Sequence, residues 1–139
     1  MAASKASNNK SPAEQGIYTL LGFAQKAGKL YGGGDAVAQA MLRGQVKIVL
    51  IAWDISENSL GRFQKRWQQL TPGQQREISV WRFGSKEQLG MACGKPPRGI
   101  WGIGDEGFCK GLADKLGQLA GLLDGLEDCG GTGTAKKMF

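Results

Sequence analysis

The chain has 139 residues, enough for one domain with a hydrophobic core. It has no histidine, and no two of its three cysteines are spaced C-x-x-C, so the usual zinc sites and histidine-based hydrolase mechanisms are excluded. The net charge of +6 is uneven, because residues 1–104 contain 14 Lys or Arg against 6 Asp or Glu, whereas residues 105–139 contain 4 against 6. This asymmetry favours a polyanionic partner for one region, although a solvated surface with a chance excess of cations has the same composition.

The two ends of the chain predict tails around one domain. Residues 1–10 are small and polar and are expected to be disordered, residues 11–128 form the domain, and residues 129–139 form a flexible tail. The N-terminus lacks the apolar core of a signal peptide, and no apolar run approaches the ~20 residues of a membrane helix. We therefore expect a cytoplasmic protein with free thiols and with no membrane or metal partner.

Helix-capping signals define the first elements. The sequence Ser11-Pro12-Ala13-Glu14 has the spacing of a capping box with proline at the first helical position, and Gly28 ends the helix. Residues 30–31 predict a short strand. A second helix is expected from about Asp35 to Arg43, and Gly44 ends it.

Residues 48–52 are apolar without alternation, which predicts a central strand covered on both faces. A third helix then begins at Ser56 and buries aromatic side chains at helical spacing. Its cations are Arg62, Lys65 and Arg66. They could form an RNA surface, but charges that are merely solvated are the simpler interpretation.

The second half of the chain continues the alternation of strand and helix. Thr71-Pro72-Gly73 is expected to break the chain, before a strand at residues 78–83, a short helix at residues 85–94, a strand at residues 99–103 and a long helix from Asp105 to Leu126. Helices at both ends of an alternating pattern predict an α/β fold, in which a small sheet lies between layers formed by about five helices.

Three consecutive glycines, Gly32, Gly33 and Gly34, stand directly before the second helix. Glycine leaves the backbone amides accessible, and a helix N-terminus adds the positive end of its dipole, so this corner suits a phosphate or a nucleobase edge. The glycines equally suit tight turns. Three in a row at a helix N-terminus favour binding.

Two other junctions are expected near this corner, namely Trp53-Asp54 after the central strand and the stiff basic loop Lys95-Pro96-Pro97-Arg98. Junctions at one end of a sheet can converge into one surface. Lys29 and the loop cations would then contact phosphates, while Asp35 and Gln39 would hydrogen-bond to base edges.

Two glycine motifs superficially match nucleotide sites. GIGDEG at residues 102–107 has the G-x-G-x-x-G spacing, but its acidic residues would repel a pyrophosphate, so we interpret it as a chance match at a helix start. GMACGK at residues 90–95 lacks the Ser or Thr of a P-loop and is interpreted as a helix end. A small nucleotide-binding protein is thus the weakest hypothesis, and neither a catalytic residue nor a cofactor is expected.

Three stretches, LLGFAQKAGKL, AVAQAMLRGQVKIVLIAWDISEN and SKEQLGMACGK, resemble the kink-turn RNA-binding ribosomal protein superfamily of L7Ae, L30e and Gadd45, and most closely its bacterial YlxQ-type branch. The resemblance covers roughly residues 13–120. It implies a three-layer α/β/α sandwich with a four-stranded mixed sheet. It also implies binding of bent RNA with tandem sheared G·A pairs, or a ribosome-associated role.

The resemblance also implies where the RNA lies. Ribosomal members begin the second helix with Gly-x-Asn-Glu-x-x-Lys, and the matching positions here are Gly33, Asp35, Ala36 and Gln39. Only the glycine is the same. The family's Ala-Glu-Asp strand end corresponds to Ala52-Trp53-Asp54.

Our main hypothesis is a non-enzymatic, monomeric RNA-binding protein whose partner is structured RNA, ribosomal RNA included. We assign the recognition of base edges to Gly33, Gly34, Asp35 and Gln39, and stacking on a base to Trp53. We assign the phosphate contacts to Lys29, Arg43, Lys95 and Arg98. The alternative is a protein-interaction module on the same fold, which uses the exposed face of the third helix or the acidic last helix.

Overall fold

The structure is a computed structural model that describes residues 11–124 and 135–138. Within these ranges it contains six helices and five strands. The helices are α1 (Pro12–Lys26), α2 (Gly34–Leu42), α3 (Glu57–Gln68), α4 (Pro72–Arg76), α5 (Lys86–Cys93) and α6 (Glu106–Asp124). The strands are β1 (Leu30–Gly32), β2 (Ile48–Ile51), β3 (Ser79–Phe83), β4 (Ile100–Ile103) and β5 (Ala135–Lys137).

The strands form one mixed sheet in the order β1-β4-β2-β3-β5. Strands β2 and β3 are parallel, whereas the pairs β1–β4, β2–β4 and β3–β5 are antiparallel. All four residues of β2 are buried, as expected for the central strand. Because β2 and β3 are parallel and each is followed by a helix, α3 and α5 begin at the same end of the sheet.

Two separate cores pack on the two faces of the sheet. Ile48 and Leu50 of β2 belong to the core that includes side chains of α1, α5 and α6. Val49 and Ile51 point the other way, into the core with α2 and α3. The alternation along one strand therefore places helices on both sides, and the predicted three-layer α/β/α class is confirmed.

Most of the predicted caps are confirmed. The Ser11 hydroxyl accepts a hydrogen bond from the Glu14 N–H at 3.1 Å, and the Asp105 carboxylate accepts one from the Phe108 N–H at 3.2 Å. Ser85 caps α5 in the same way, by accepting from the Gln88 N–H. The Gln88 side chain instead accepts from the Tyr18 hydroxyl at 3.1 Å, so it ties α5 to α1.

Two predictions are corrected by the structure. Thr71-Pro72-Gly73 does not only break the chain, because Thr71 and Gln74 form a complete capping box that starts the short helix α4. The sheet has five strands rather than four, because Ala135–Lys137, placed by the sequence in a flexible tail, pairs with β3. Residues 1–10, 129–134 and 139 of the two predicted tails lie outside the described residues, as does Leu126. None of the described helices combines the length and apolar character that crossing a membrane requires.

The strand β5 gives a direct test of the fold. Ala135 is fully buried, whereas Lys137 is exposed two residues later. Replacing Ala135 with Gln forces a larger polar side chain into the core and should lower the free energy of unfolding by about 2 kcal/mol or more. Lys137→Gln is the matched control and should change it by less than about 0.5 kcal/mol. Urea denaturation of both variants checks this, and equal stabilities would mean that residues 135–137 form a tail.

Candidate nucleic-acid interface

The chain turns sharply between β1 and α2, and Gly33 makes the turn. Its φ of 96° lies in a region that side-chain-bearing residues rarely adopt. The Gly33 N–H donates to the Ile100 carbonyl at 2.8 Å, which continues the pairing of β1 with β4 up to the residue before α2. The turn is therefore anchored to the neighbouring strand.

The other two glycines differ in what they require. A Cβ at Gly32 would lie 2.8 Å from the ring of the buried Trp101, so the absence of a side chain is needed for packing. A Cβ at Gly34 would meet only Ile100, at an ordinary 3.6 Å. Internal packing thus explains Gly32, and backbone conformation explains Gly33. Neither reason applies to position 34, where a side chain would fit.

The N-terminus of α2 has no side-chain cap. Asp35, the acidic residue of its first turn, instead forms an ion pair with Arg66 of α3, with 2.8 Å between Oδ1 and Nη1. Its side chain remains 88% exposed. The first amides of α2 therefore keep the donor capacity and the positive dipole end that can hold an anion or a base acceptor.

The basic loop lies against this corner. A Cβ at Gly33 would come within 2.9 Å of Nη1 of Arg98, so the guanidinium crosses the glycine run. Lys95 and Arg98 line a groove of about 320 Å³ together with Gly32. Gly90 allows the loop to fold back, since a Cβ there would lie 2.9 Å from the carbonyl oxygens of Lys95 and Pro96. The structure thus brings together the glycine run and the basic loop.

The remaining predicted contacts are more scattered. Lys29 is exposed in the turn that leads into β1, between two residues of the same groove. Gln39 is exposed in a second groove, of about 480 Å³, between α2 and α3. Arg43 follows the last residue of α2, which places it about 13 Å from Gly34 along the helix axis. The structure does not bring Arg43 to the corner.

Trp53 and Asp54 both have partners inside the protein. The Arg82 guanidinium stacks on the Trp53 ring at 4.9 Å and donates to the Trp53 carbonyl at 3.0 Å. The Asp54 carboxylate accepts a hydrogen bond from the Lys86 N–H at 2.9 Å, which caps the start of α5. Both residues therefore stabilise the end of the sheet where α3 and α5 begin.

The sequence favoured merely solvated charges on α3, but the structure shows a cluster of cations at the corner. Arg62, Arg66 and Lys86 line a cavity of about 180 Å³ that also contains Gly33 and Gly34. The four-residue spacing of the two arginines predicts that they share one side of α3. Only the packing of α3 against α2 shows that this side faces the glycine run.

Other candidate sites have structural explanations. Burial raises the pKa of the Cys93 thiol to about 12, and burial, with Asp105 nearby, raises that of Cys109 to about 11, so both are protonated and unreactive. Gly104 of the GIGDEG motif packs so tightly that a Cβ would collide with the Gln45 carbonyl. Among the described residues no group of three His, Cys, Asp or Glu side chains could hold a metal ion.

The model of the ribosomal protein L7Ae/L30e/S12e/Gadd45 family matches residues 15–113. The chain belongs to this family. The family resemblance inferred from the sequence is thereby confirmed.

Three similar proteins agree with this membership. The RNA-binding protein YlxQ of Enterococcus faecium is 30% identical over 96 residues, which are 69% of this chain and 86% of that protein. A protein of unknown function from Bacillus halodurans C has a structure with a TM-score of 0.61 and 30% identity, covering 71% of this chain and 94% of its own. The Giardia lamblia 15.5kD RNA binding protein has a TM-score of 0.58 at 19% identity, covering 81% and 91%, and it shares the fold.

The different requirements at Gly32 and Gly34 are testable by adding one methyl group at each position. Gly32→Ala should lower the free energy of unfolding by about 1–3 kcal/mol, because the new Cβ collides with Trp101. Gly34→Ala should change it by less than about 1 kcal/mol, since the new Cβ meets only Ile100, at an ordinary contact distance, and alanine favours the helix. Urea denaturation measures both, and equal losses would contradict the assignment.

Proposed function

We propose that this chain is a non-enzymatic RNA-binding protein that recognises structured RNA of the kink-turn type and acts in association with the ribosome. The supporting observation is the uncapped start of α2 beside the basic loop. Bare amides donate hydrogen bonds to acceptors on bases and phosphates, while Arg98 and Lys95 supply positive charge at the same place. The name of the similar YlxQ protein, an RNA-binding protein, supports the same function.

Base reading falls to the exposed side of the α2 N-terminus. The Gly33–Gly34 backbone lets a base approach closely, and Asp35 and Gln39 extend from the same helix. An ionised carboxylate only accepts hydrogen bonds, so Asp35 would accept from the N–H groups of a guanine edge. Because both partners of the Asp35–Arg66 pair are substantially exposed, the pair contributes at most about 1 kcal/mol. The carboxylate can therefore turn to a base at small cost.

Contacts to the RNA backbone would surround the N-terminus of α2. Lys29, Lys95 and Arg98 would pair with phosphates beside the glycine run, and Arg43 would meet the RNA farther along α2. Trp53, held in orientation by Arg82, would stack on an unpaired base. Three further residues would shape the surface without a charge contact of their own: Gly32, Asp54 and Pro96.

The N-terminus of α2 should distinguish RNAs that differ only in their G·A pairs. A kink-turn hairpin should bind more tightly than the same hairpin with Watson–Crick pairs in place of the G·A pairs. Gly34→Ala should weaken binding to the kink-turn hairpin by about tenfold, equal to about 1.4 kcal/mol, because the methyl group keeps bases from the amides. Gly117→Ala on α6 adds the same methyl where nothing lies within 4 Å and should leave affinity unchanged.

Fluorescence anisotropy measures these affinities. Equal affinity for both hairpins would contradict base reading at α2. A Gly34→Ala protein that binds as tightly as the parent would place the RNA elsewhere.

The basic loop should contribute affinity without sequence preference. The double variant Lys95→Gln/Arg98→Gln should weaken binding to both hairpins by similar factors and reduce the slope of log K against log salt by about 2. Lys110→Gln/Lys137→Gln makes the same charge change on exposed residues of α6 and β5. If both double variants weaken binding equally, net charge rather than the loop is responsible.

Ribosome association is tested in cells. Crosslinking of the tagged protein followed by sequencing of the attached RNA should recover ribosomal RNA. A protein-docking role predicts the opposite pattern, in which protein partners co-purify after nuclease treatment and no RNA is attached. The exposed large apolar side chains of the described residues, Phe23, Leu42 and Met91, lie on three different helices, and none lines the cavity beside Gly33. This arrangement gives the docking role less support.

A further inference from the structure

A cavity lies where α2 and α3 begin, at the edge of the sheet from which α5 also starts, and we call it the α3 cavity. It has a volume of about 180 Å³. Its lining includes Gly33, Gly34 and Asp35 at the start of α2, and Arg62, Arg66 and Lys86. It is continuous with the candidate interface, because Gly33, Gly34 and Asp35 belong to both.

Charge in the α3 cavity is strongly unbalanced. Its lining contains three cations, Arg62, Arg66 and Lys86, against one carboxylate, that of Asp35. Arg66 pairs with Asp35 at 2.8 Å. Neither the Arg62 nor the Lys86 side chain has an ion-pair partner among the residues that the structure describes. Two positive charges are therefore left for a ligand.

The packing of α3 aims these side chains at α2. Phe63 and Trp67 of α3 are buried in the core that α2 also enters. Arg62 and Arg66 stand four residues apart along the adjoining side, so they face the start of α2 together. Arg66 also contacts the Gly34 carbonyl at 3.5 Å. The same contacts that build the core thus hold two guanidiniums beside the glycine run.

The hydrogen-bonding character of the lining selects the ligand chemistry. Arginine and lysine side chains only donate hydrogen bonds. The Ser56 hydroxyl donates to that of Ser59 at 3.0 Å and also accepts from the Ser59 N–H, so these hydroxyls mainly satisfy each other. A phosphodiester offers only acceptors and one negative charge, which complements a site rich in donors. Asp35 already provides such an anion to Arg66 in the free protein.

We propose that the α3 cavity binds a backbone phosphate of the RNA through Arg62, Arg66 and Lys86. The RNA strand held at the β1–α2 corner then continues along α3, so the interface extends from α2 and the basic loop to α3. This inference rests on the proposed RNA-binding function. Asp35 occupies Arg66 until a phosphate or a base edge separates the pair.

The neighbouring Lys65 provides a matched control. It is exposed on the same helix but does not line the α3 cavity. Arg62→Gln and Lys65→Gln both remove one positive charge from an exposed side chain of α3. Arg62→Gln should weaken binding to the kink-turn hairpin by about fivefold or more and lower the salt slope by about 1. Lys65→Gln should weaken it less than twofold, and melting curves should show that both variants remain folded.

Polyphosphate separates phosphate binding from base binding in the cavity. As a competitor without bases, it should displace the hairpin from the parent protein, and the apparent polyphosphate affinity should fall in Arg62→Gln/Arg66→Gln. If the double variant loses affinity for the hairpin but competes with polyphosphate as the parent does, the cavity holds a base and the phosphate proposal is wrong.

The outcomes distinguish the two proposals. Equal losses for Arg62→Gln and Lys65→Gln, with Gly34→Ala still impaired, overturn the phosphate site at α3 and leave RNA binding at α2 intact. A parent protein that binds neither hairpin overturns both proposals. A selective loss in Arg62→Gln with a lower salt slope supports the α3 site.

Discussion

The hydrogen bond from the Gly33 N–H to the Ile100 carbonyl is the contact on which the candidate interface depends. It extends the antiparallel pairing of β1 and β4 to Gly33, the residue before α2. Because β4 starts at Ile100, two residues after Arg98 of the basic loop, this pairing holds the loop beside the glycine run. Two stretches that are far apart in the sequence therefore form one positively charged surface, and no loop has to move to create it.

Local signals in the sequence predicted much of the fold. Ser11, Ser85 and Asp105 act as caps because each offers a side-chain oxygen to the first amides of a helix. The unbroken apolar run of β2 predicted a strand covered on both faces. The helix α4 was missed because Pro72-Gly73 suggested a turn, although Thr71 and Gln74 have capping-box spacing. The strand β5 was missed because three residues carry no periodic pattern, and their conformation depends on pairing with β3.

The candidate site was predictable where one segment carries the signal. The glycine run before α2 marks an unusual turn in the sequence alone, and the structure puts the basic loop beside it. The cations of α3 were not predictable as part of the site, since their position depends on the angle at which α2 and α3 pack. Trp53 and Asp54 were predicted as contacts for RNA, but the sequence could not show that Arg82 and the Lys86 amide would engage them.

The strand β5 has a consequence for how the protein behaves at high concentration. Without it, the outer side of β3 would expose a row of unpaired backbone groups, which is a template for joining sheets of different molecules. β5 covers that side with only three residues, and Lys136 and Lys137 are both exposed. A short edge with two adjacent positive charges repels a second copy of itself. Aggregation through this side of the sheet is thereby discouraged.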